Sequence, residues 1–311
     1  MTRHFLADDD LTPAEQAEVL ALAARLKTKP YDATPLAGPQ TAAMIFDKPT
    51  LRTQASFAAG VAELGGNPML VDGKLAGIGV RESIGDVARV LGRQASVIVW
   101  RTYGQDRIEE MAAYAGVPVV NALTDDYHPC QLLADLLTVQ EHRGTLAGQT
   151  VAFVGDGACN MGNSWLLAGA TAGLHVRIGA PEGYTPDPAM VDRAAAIADA
   201  TGGSVALEAD PERAVHGADA VITDTWVSMG KEEESESRLA VFGPYSVTAE
   251  LFARAKDDAI LLHCLPAYRG KEVDAEVIDG PRSVVWDEAE NRRHAQKAII
   301  TWLLERGDPD D

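Results

Sequence analysis

Short apolar runs alternate with helical segments along almost the whole chain. The run Thr41–Phe46 precedes a helical pattern that puts Phe57, Val61 and Leu64 on one face. Strands that alternate with helices pair in parallel, and a chain of 311 residues suggests about two domains. The sequence therefore predicts an α/β fold of two three-layer α/β/α domains, each with a parallel sheet. The further runs lie at 96–100, 117–123, 151–154, 175–178, 204–207, 218–223 and 259–263.

The boundary between the domains is expected where one helix ends and the second series of strands begins. The helix that follows His128 ends near Gly144, before the next apolar run. Close to the C-terminus, a strand predicted at 283–286 leads into a long amphipathic helix. The chain is thus expected to consist of a first domain, a second domain and a last helix that packs back on the first, with bounds 1–144, 145–286 and 287–311.

Composition excludes several classes of partner. The formal net charge of −19 creates a field that repels nucleic acid and anionic membranes. The three cysteines, Cys130, Cys159 and Cys264, lack the spacing of a zinc site or a disulfide framework. No apolar run reaches the roughly 18 residues of a membrane span, and the N-terminus lacks a secretory or transit pattern. We therefore expect a cytoplasmic protein that binds neither nucleic acid nor membrane.

The segment 48–53 (KPTLRT) joins the run Thr41–Phe46 to the helix that follows it. The first turn of a helix offers free backbone N–H groups and the positive end of the helix dipole. The hydroxyls of Thr50 and Thr53 and the guanidinium of Arg52 would point to the same place, and a guanidinium binds phosphate through two hydrogen bonds. The segment therefore predicts a phosphate site; the alternative is an ordinary capped helix with a surface Arg.

Other polar or reactive residues also follow predicted strands along the chain. They come directly after an apolar run or a short loop later, and they are Arg101, His128, residues 155–160, Asp224 and Cys264. In open parallel sheets, ligands bind at the carboxyl ends of the strands, where the strand order reverses. We therefore expect these residues to share one active-site cleft between the two domains.

Two other kinds of site fit the residues less well. Gly155-Asp156-Gly157 after a strand is typical of dinucleotide binding, but the third glycine of that motif is replaced by Asn160. Cys264 as a nucleophile needs a partner base, and His263 is expected on the opposite face of its strand. Neither nicotinamide binding nor a Cys–His protease is therefore favoured.

Several motifs together resemble the carbamoyltransferase family over nearly all 311 positions. That family shares an S/T-x-R-T loop, an HPxQ segment and an HCLP segment, found here at 50–53, 128–131 and 263–266. The ornithine branch is marked by D-x-W-x-S-M-G and N-M-G-N, found here at 224–230 and 160–163. The resemblance implies transfer of the carbamoyl group of carbamoyl phosphate to the δ-amine of L-ornithine, giving L-citrulline and phosphate in arginine biosynthesis. It also implies a homotrimer with active sites at the subunit interfaces and with no metal or cofactor, and it leaves a higher assembly of trimers open.

The resemblance implies roles for individual residues as well. The residues expected to take part in catalysis are Arg52, Arg101, His128 and Cys264. Those expected to hold carbamoyl phosphate are Thr50, Leu51, Arg52, Thr53, Arg101, His128, Gln131, Cys264, Leu265 and Arg292. Those expected to hold the amino-acid end of ornithine are Asn160, Asp224, Ser228 and Met229.

The chemistry places demands on such a site. An alkylamine with a pKa of roughly 10 enters mostly protonated, but only its neutral form attacks the carbamoyl carbon. Loss of water on loop closure and nearby Arg charges would lower that pKa, with Cys264 or the departing phosphate as proton acceptor. Hydrogen bonds from Thr53, Arg101 and His128 would stabilise the negative charge that grows on the carbamoyl oxygen. No covalent enzyme intermediate is expected.

The chain departs from the family pattern at two positions. Gln54 stands where members usually carry Arg, and Gly77 stands where they usually carry a Gln that reaches the neighbouring subunit's donor site. Two alternatives stand beside the ornithine reaction. One is carbamoyl transfer to another amine, such as putrescine or a modified ornithine, and the other is a non-catalytic homologue that only binds the ligands.

Overall fold

Two compact units make up the chain, and each is built on one parallel sheet. The computed structural model describes residues 2–227 and 235–306. The first unit comprises Met1–Ala134 and Glu290–Asp311, and the second comprises Asp135–Ala289. The predicted α/β class with two parallel sheets is therefore confirmed.

The first unit carries four parallel strands, β1 (Thr41–Phe46), β2 (Asn67–Asp72), β3 (Val97–Arg101) and β4 (Val119–Leu123). Their order in the sheet is β2-β1-β3-β4, so the order reverses between β1 and β3. Phe46 is paired with Arg101 in the register of these two strands, so both strands end at the same level. The place where ligands bind in open parallel sheets thus lies beside the end of β1.

The second unit carries five parallel strands, β5 (Thr150–Val154), β6 (His175–Gly179), β7 (Ser204–Glu208), β8 (Ala220–Ile222) and β9 (Ile260–Leu262). Their order is β7-β6-β5-β8-β9, and it reverses between β5 and β8. A second switch point therefore lies beside the ends of these two strands.

The helices connect the strands and cover the sheets. The early ones are α1 (Pro13–Thr28), α2 (Arg52–Glu63), α3 (Gly73–Ala76), α4 (Ile84–Leu91), α5 (Gln105–Ala115) and α6 (Pro129–Arg143). The later ones are α7 (Asn160–Thr171), α8 (Pro188–Thr201), α9 (Pro211–Val215), α10 (Ser235–Phe242), α11 (Ala249–Phe252), α12 (Ala275–Ile278) and α13 (Val285–Glu305). No helix within the two described ranges is both long and apolar enough to cross a bilayer.

The strand predicted at 283–286 is wrong, because α13 begins there. Ser283 forms only an isolated bridge to Leu261, and the helix starts at Val285. A short apolar run fits the first turn of a buried helix as well as it fits a strand. Asp287 and Glu288 stand in that first turn, where negative charge is favourable.

The part of α13 after residue 289 belongs to the first unit. Nε1 of Trp302 donates to a carboxylate oxygen of Glu18 at 3.2 Å. The fully buried Lys297 donates to the carbonyl of Leu26 at 3.1 Å and to a carboxylate oxygen of Glu63 at 2.5 Å. The helix thus brings Arg292 into the same unit as β1 and β3.

Candidate active site

The first part of the site stands where β1 passes into α2. The helix begins at Arg52, and Leu51 before it provides no side-chain cap. The hydroxyl of Thr50 accepts a hydrogen bond from the backbone N–H of Thr53 at 3.4 Å. The N–H groups of such a first turn carry the positive end of the helix dipole, which favours an anion. Among the residues that the structure describes, no acceptor pairs with the half-buried Arg52 side chain, so its guanidinium is available to a ligand.

Polar side chains from three further elements meet around Thr53. Nη1 of Arg101, at the end of β3, donates to Oγ1 of Thr53 at 3.3 Å, and Nη2 of Arg292 in α13 donates to it at 3.0 Å. Nη1 of Arg292 also donates to Oε1 of Gln131 in α6. Thr53, Gln131 and Arg292 are each at most 3% exposed. Two guanidinium groups thus converge on one hydroxyl at a buried position, which favours an oxyanion.

His128 lies directly before α6 and is also buried. Burial, and then the positive charges of Arg292 and Arg101, hold the pKa of His128 well below its usual value. The imidazole is therefore neutral near pH 7 and still donates through one ring N–H. A neutral donor can bind a carbonyl oxygen without adding another positive charge to this cluster.

The second unit places a carboxylate and a thiol side by side. Asp224 comes two residues after β8, and Cys264 comes two residues after its neighbour β9. Sγ of Cys264 donates to Oδ1 of Asp224 at 3.2 Å, and the backbone N–H of Thr225 donates to the same oxygen at 2.7 Å. Burial raises the pKa of Asp224, although the charge of His263 and these two hydrogen bonds act in the opposite direction. A cation placed beside Asp224 would therefore stabilise its ionised form.

Cys264 is a hydrogen-bond donor rather than an activated nucleophile. Burial, followed by the negative charge of Asp224, raises the pKa of its thiol well above the usual value, so the thiol stays protonated at neutral pH. His263 is bonded elsewhere. Its Nδ1 accepts from the backbone N–H of Leu265 at 2.9 Å, and its Nε2 lies 3.3 Å from Oε1 of Glu272. These contacts give Cys264 no imidazole base on the neighbouring residue.

Three side chains at these strand ends are of the types that bind metal ions. Within the described ranges, Asp224, His263 and Cys264 form a group whose ligand atoms all lie within 4.8 Å of one another. Both ring nitrogens of His263 already have partners, and metal binding would require the Cys264 thiol to lose its proton. The hydrogen bonds of the group account for its arrangement.

The residues predicted to hold ornithine are placed in part. Asn160 is the first residue of α7, and this helix follows β5, the strand beside β8. Cys159 occupies the N-cap position of the same helix without a side-chain capping hydrogen bond, and burial together with the negative charge of Asp224 raises the pKa of its thiol. Asn160 and Asp224 thus follow the two strands at the switch point. The other two predicted residues, Ser228 and Met229, lie outside the described residues.

Sequence reasoning missed a buried ion pair in the second unit. Arg238 in α10 donates to the carboxylate of Asp156, which follows β5, and its Nε donates to the carbonyl of Trp226. The guanidinium lies 5.0 Å from the ring centre of Phe242. Arg238 and Asp156 are 3% and 6% exposed, so this pair fixes Trp226 from inside the unit, two residues after Asp224. Its two members lie 82 positions apart, so no local sequence pattern predicts that they pair.

Fold and site together define a class: an α/β enzyme with one unit suited to an oxyanion and a second suited to a cationic group. Residues 3–141 match the carbamoyl-P binding domain of aspartate/ornithine carbamoyltransferase, and residues 147–303 match its Asp/Orn binding domain. The chain therefore belongs to the aspartate/ornithine carbamoyltransferase family.

Individual relatives are similar over their full length. An ornithine carbamoyltransferase of Clavibacter michiganensis subsp. michiganensis is 65% identical over 98% of this chain and 99% of that protein. Another, of Leifsonia xyli subsp. xyli, is 60% identical over 100% and 99%. Among solved structures, the ornithine carbamoyltransferase from Pyrococcus furiosus has a TM-score of 0.94 and 43% identity, with 98% of each chain covered.

Proposed function

We propose that the protein transfers the carbamoyl group of carbamoyl phosphate to the δ-amine of L-ornithine, giving L-citrulline and phosphate. The convergence of Arg101 and Arg292 on Thr53, beside the first turn of α2, is the observation that carries this proposal. Guanidinium groups, a hydroxyl and free N–H groups in one place suit a phosphate joined to a polar carbonyl. Relatives that are 54–65% identical over nearly the whole chain are named ornithine carbamoyltransferases, which supports the same choice.

The donor is held mainly by the first unit. Arg52, Arg292 and the N–H groups of α2 bind the phosphate, and Thr53, Arg101 and neutral His128 donate to the carbamoyl oxygen. Leu51 contributes through the backbone at the start of the helix. The complete donor set is Thr50, Leu51, Arg52, Thr53, Arg101, His128, Gln131 and Arg292, with Cys264 and Leu265 at the carbamoyl end.

The acceptor is held by the second unit. Asp224 binds the cationic α-amino group of ornithine, because its raised pKa makes an adjacent positive charge favourable. Cys264 donates to Asp224 and so holds the carboxylate in place for this contact. The remaining members of the acceptor set are Asn160, Ser228 and Met229.

The reaction proceeds by direct attack. The neutral δ-amine forms a C–N bond to the carbamoyl carbon, negative charge grows on the carbamoyl oxygen, and the donors around Thr53 stabilise it. The C–O bond to phosphate then breaks, and Arg52 and Arg292 stabilise the charge of the departing group. The Cys264 thiol already carries its proton, so the departing phosphate accepts the proton that the amine loses.

The wider setting of this activity follows from the same resemblance. We propose residues 1–144 as the carbamoyl-phosphate domain, 145–286 as the ornithine domain and 287–311 as a helix that completes the first. The protein works as a cytoplasmic homotrimer in arginine biosynthesis, without metal or cofactor. Exposed apolar side chains in the first unit, Leu75 at 85% and Val80 at 92%, support an interface between copies of the chain.

A citrulline assay tests the proposal. Purified protein is incubated with carbamoyl phosphate and, in parallel, with ornithine, putrescine, N-acetylornithine, lysine or aspartate. We expect a carbamoylated product with ornithine and at least about tenfold lower kcat/KM with every other amine. N-acetylornithine, for example, carries a neutral amide in place of the cationic α-amino group that Asp224 binds, and putrescine lacks the carboxylate of ornithine. Preference for putrescine or N-acetylornithine would reassign the acceptor. Binding of both ligands without any product would indicate a non-catalytic homologue.

A further inference from the structure

The end of β1 carries a buried carboxylate that the proposed reaction does not use. Asp47 is 5% exposed and directly precedes the segment 48–53. Its Oδ2 accepts from Nε1 of Trp100 at 3.1 Å and from Oγ1 of Thr102 at 2.6 Å. Its backbone N–H donates to the carbonyl of Arg101 at 2.9 Å. Asp47 therefore ties the end of β1 to the end of β3, on both sides of Arg101.

Arg107, in the first turn of α5, connects these strand ends to a third segment. Its Nη2 lies 3.6 Å from Oδ2 of Asp47, and its Nε donates to Oγ1 of Thr102 at 3.0 Å. The same Nη2 donates to the carbonyl of Ile78 at 3.0 Å. One side chain thus contacts the end of β1, the end of β3 and the loop 77–82.

The loop fits closely around this guanidinium. A Cβ atom at position 79 would lie only 2.8 Å from Nη1 of Arg107, and Gly79 has a φ of +75°. The side chain of Ile78 is 4% exposed and packs in the core of the first unit. The loop backbone reaches Arg107 because position 79 is a glycine.

We propose that Arg107 is a positioning residue for the donor site. It holds the ends of β1 and β3 at a fixed distance, and these ends carry the segment 48–53 and Arg101, so that carbamoyl phosphate meets groups already in place. The inference rests on the proposed function. Arg107 acts through Asp47, Thr102 and Ile78 and touches none of the residues assigned to the donor.

Arg107 also balances a charge close to an anion site. The buried carboxylate of Asp47 faces Arg107 as its ion-pair partner. Removal of the guanidinium leaves that negative charge uncompensated at the foot of the segment that binds phosphate. The strand ends become looser and the phosphate meets an added repulsion. Both effects weaken the binding of carbamoyl phosphate and leave the binding of ornithine unchanged.

Steady-state kinetics on Arg107→Gln tests this. We expect the KM for carbamoyl phosphate to rise about three- to thirtyfold, the loss of one or two hydrogen bonds to a charged group, with the ornithine KM and kcat within about twofold of wild type. The double variant Asp47→Asn/Arg107→Gln removes the unpaired charge and keeps an acceptor for Trp100 and Thr102. It should recover part of the donor KM, which a purely structural defect would not do.

Arg89→Gln is the matched control. It removes the same charge from the exposed face of α4, where the guanidinium pairs with Asp86 at 3.2 Å and lies over Tyr114. We expect both KM values of this variant to equal those of the wild type. A donor KM in Arg107→Gln no higher than in Arg89→Gln, or an equal rise for both substrates, would overturn the proposal.

A second readout does not depend on turnover. Hydrogen exchange of the unliganded protein should show faster exchange of the amides in 77–82 in Arg107→Gln than in Arg89→Gln, because the carbonyl of Ile78 loses its donor. Unchanged exchange in this loop would also contradict the proposal. If the wild type makes no citrulline, the proposed function fails, and the exchange experiment still decides the role of Arg107.

Discussion

Asp224 is a carboxylate in a place where burial disfavours charge, and its pKa is raised as a result. Asp224→Asn removes the charge but keeps an oxygen that can accept from Cys264 and Thr225. We expect ornithine to bind on the order of ten- to a hundredfold more weakly, because a hydrogen bond to a charged partner is lost. Carbamoyl phosphate should bind as in the wild type. Calorimetry with each ligand measures this, and equal losses for both would mean that Asp224 is structural.

Gly77 shows how a departure from the family pattern can be read from its backbone. It ends α3 in the left-handed conformation, with φ 67° and ψ 34°, and a Cβ there would meet Cβ of Arg81 at 3.0 Å. We expect Gly77→Gln to destabilise the fold by about 1 to 2 kcal/mol rather than to strengthen donor binding. Differential scanning calorimetry measures this, and Gly77→Ala should lower the melting temperature about as much as Gly77→Gln does, because both add a Cβ. An unchanged melting temperature together with a lower donor KM would contradict this expectation.

At the scale of elements, burial on both faces made the inner strands predictable. β1, β3 and β5 are buried along nearly their whole length and appear in the sequence as unbroken apolar runs. The edge strand β2 is partly exposed and contains Pro68, and its apolar stretch covers only residues 69–71, so the sequence did not indicate it. The strand predicted at 283–286 was wrong for the opposite reason, because this short run is apolar but belongs to the start of α13.

His294 in α13 is expected to make the free energy of unfolding depend on pH. His294 is 1% exposed, neither ring nitrogen makes a hydrogen bond among the described residues, and Oε1 of Glu290 lies 3.7 Å from Nε2. Burial, and then the charges of Lys297 and Arg293, lower its pKa to about 4, although Glu290 and Glu63 act in the opposite direction. Between about pH 6.5 and pH 4, His294 is therefore protonated in the unfolded chain but stays neutral in the folded chain.

The free energy of unfolding should consequently fall as the pH drops from about 6.5 to about 4, with a slope of at most about 1.4 kcal/mol per pH unit from this group. His294→Gln removes that part of the slope. Urea unfolding at a series of pH values measures the slope. The variant should keep a smaller slope, to which His128 contributes because burial lowers its pKa as well. The free energy of unfolding of the variant minus that of the wild type should increase from pH 8 to pH 4. A constant difference would contradict the assignment.

At the scale of the whole molecule, sequence motifs predicted which residues stand at the carboxyl ends of the strands but not what holds them there. Parallel strands end at a common edge, so Arg101 and the segment 48–53 could be expected near one another. The supporting pairs Arg238–Asp156 and Arg107–Asp47 join positions far apart in the chain. A single Arg within a polar helix or charged segment normally faces solvent, and only tertiary packing decides that these two are drawn inward.

The proposed trimer can be tested on its exposed apolar residues. Val80 is 92% exposed and Leu75 is 85% exposed in the single chain, and burial of such a side chain contributes about 1.5 to 3 kcal/mol per copy. Val80→Asp replaces that gain with a buried negative charge in a chain whose net charge is already −19. We expect the wild type to sediment at three times the 33.1 kDa of one chain and Val80→Asp to shift toward the single chain. Tyr31→Asp, at a position 73% exposed in the same unit, is the control that should leave the trimer intact. A wild type that sediments as one chain would refute the trimer, and a Val80→Asp variant that stays trimeric would place the interface elsewhere.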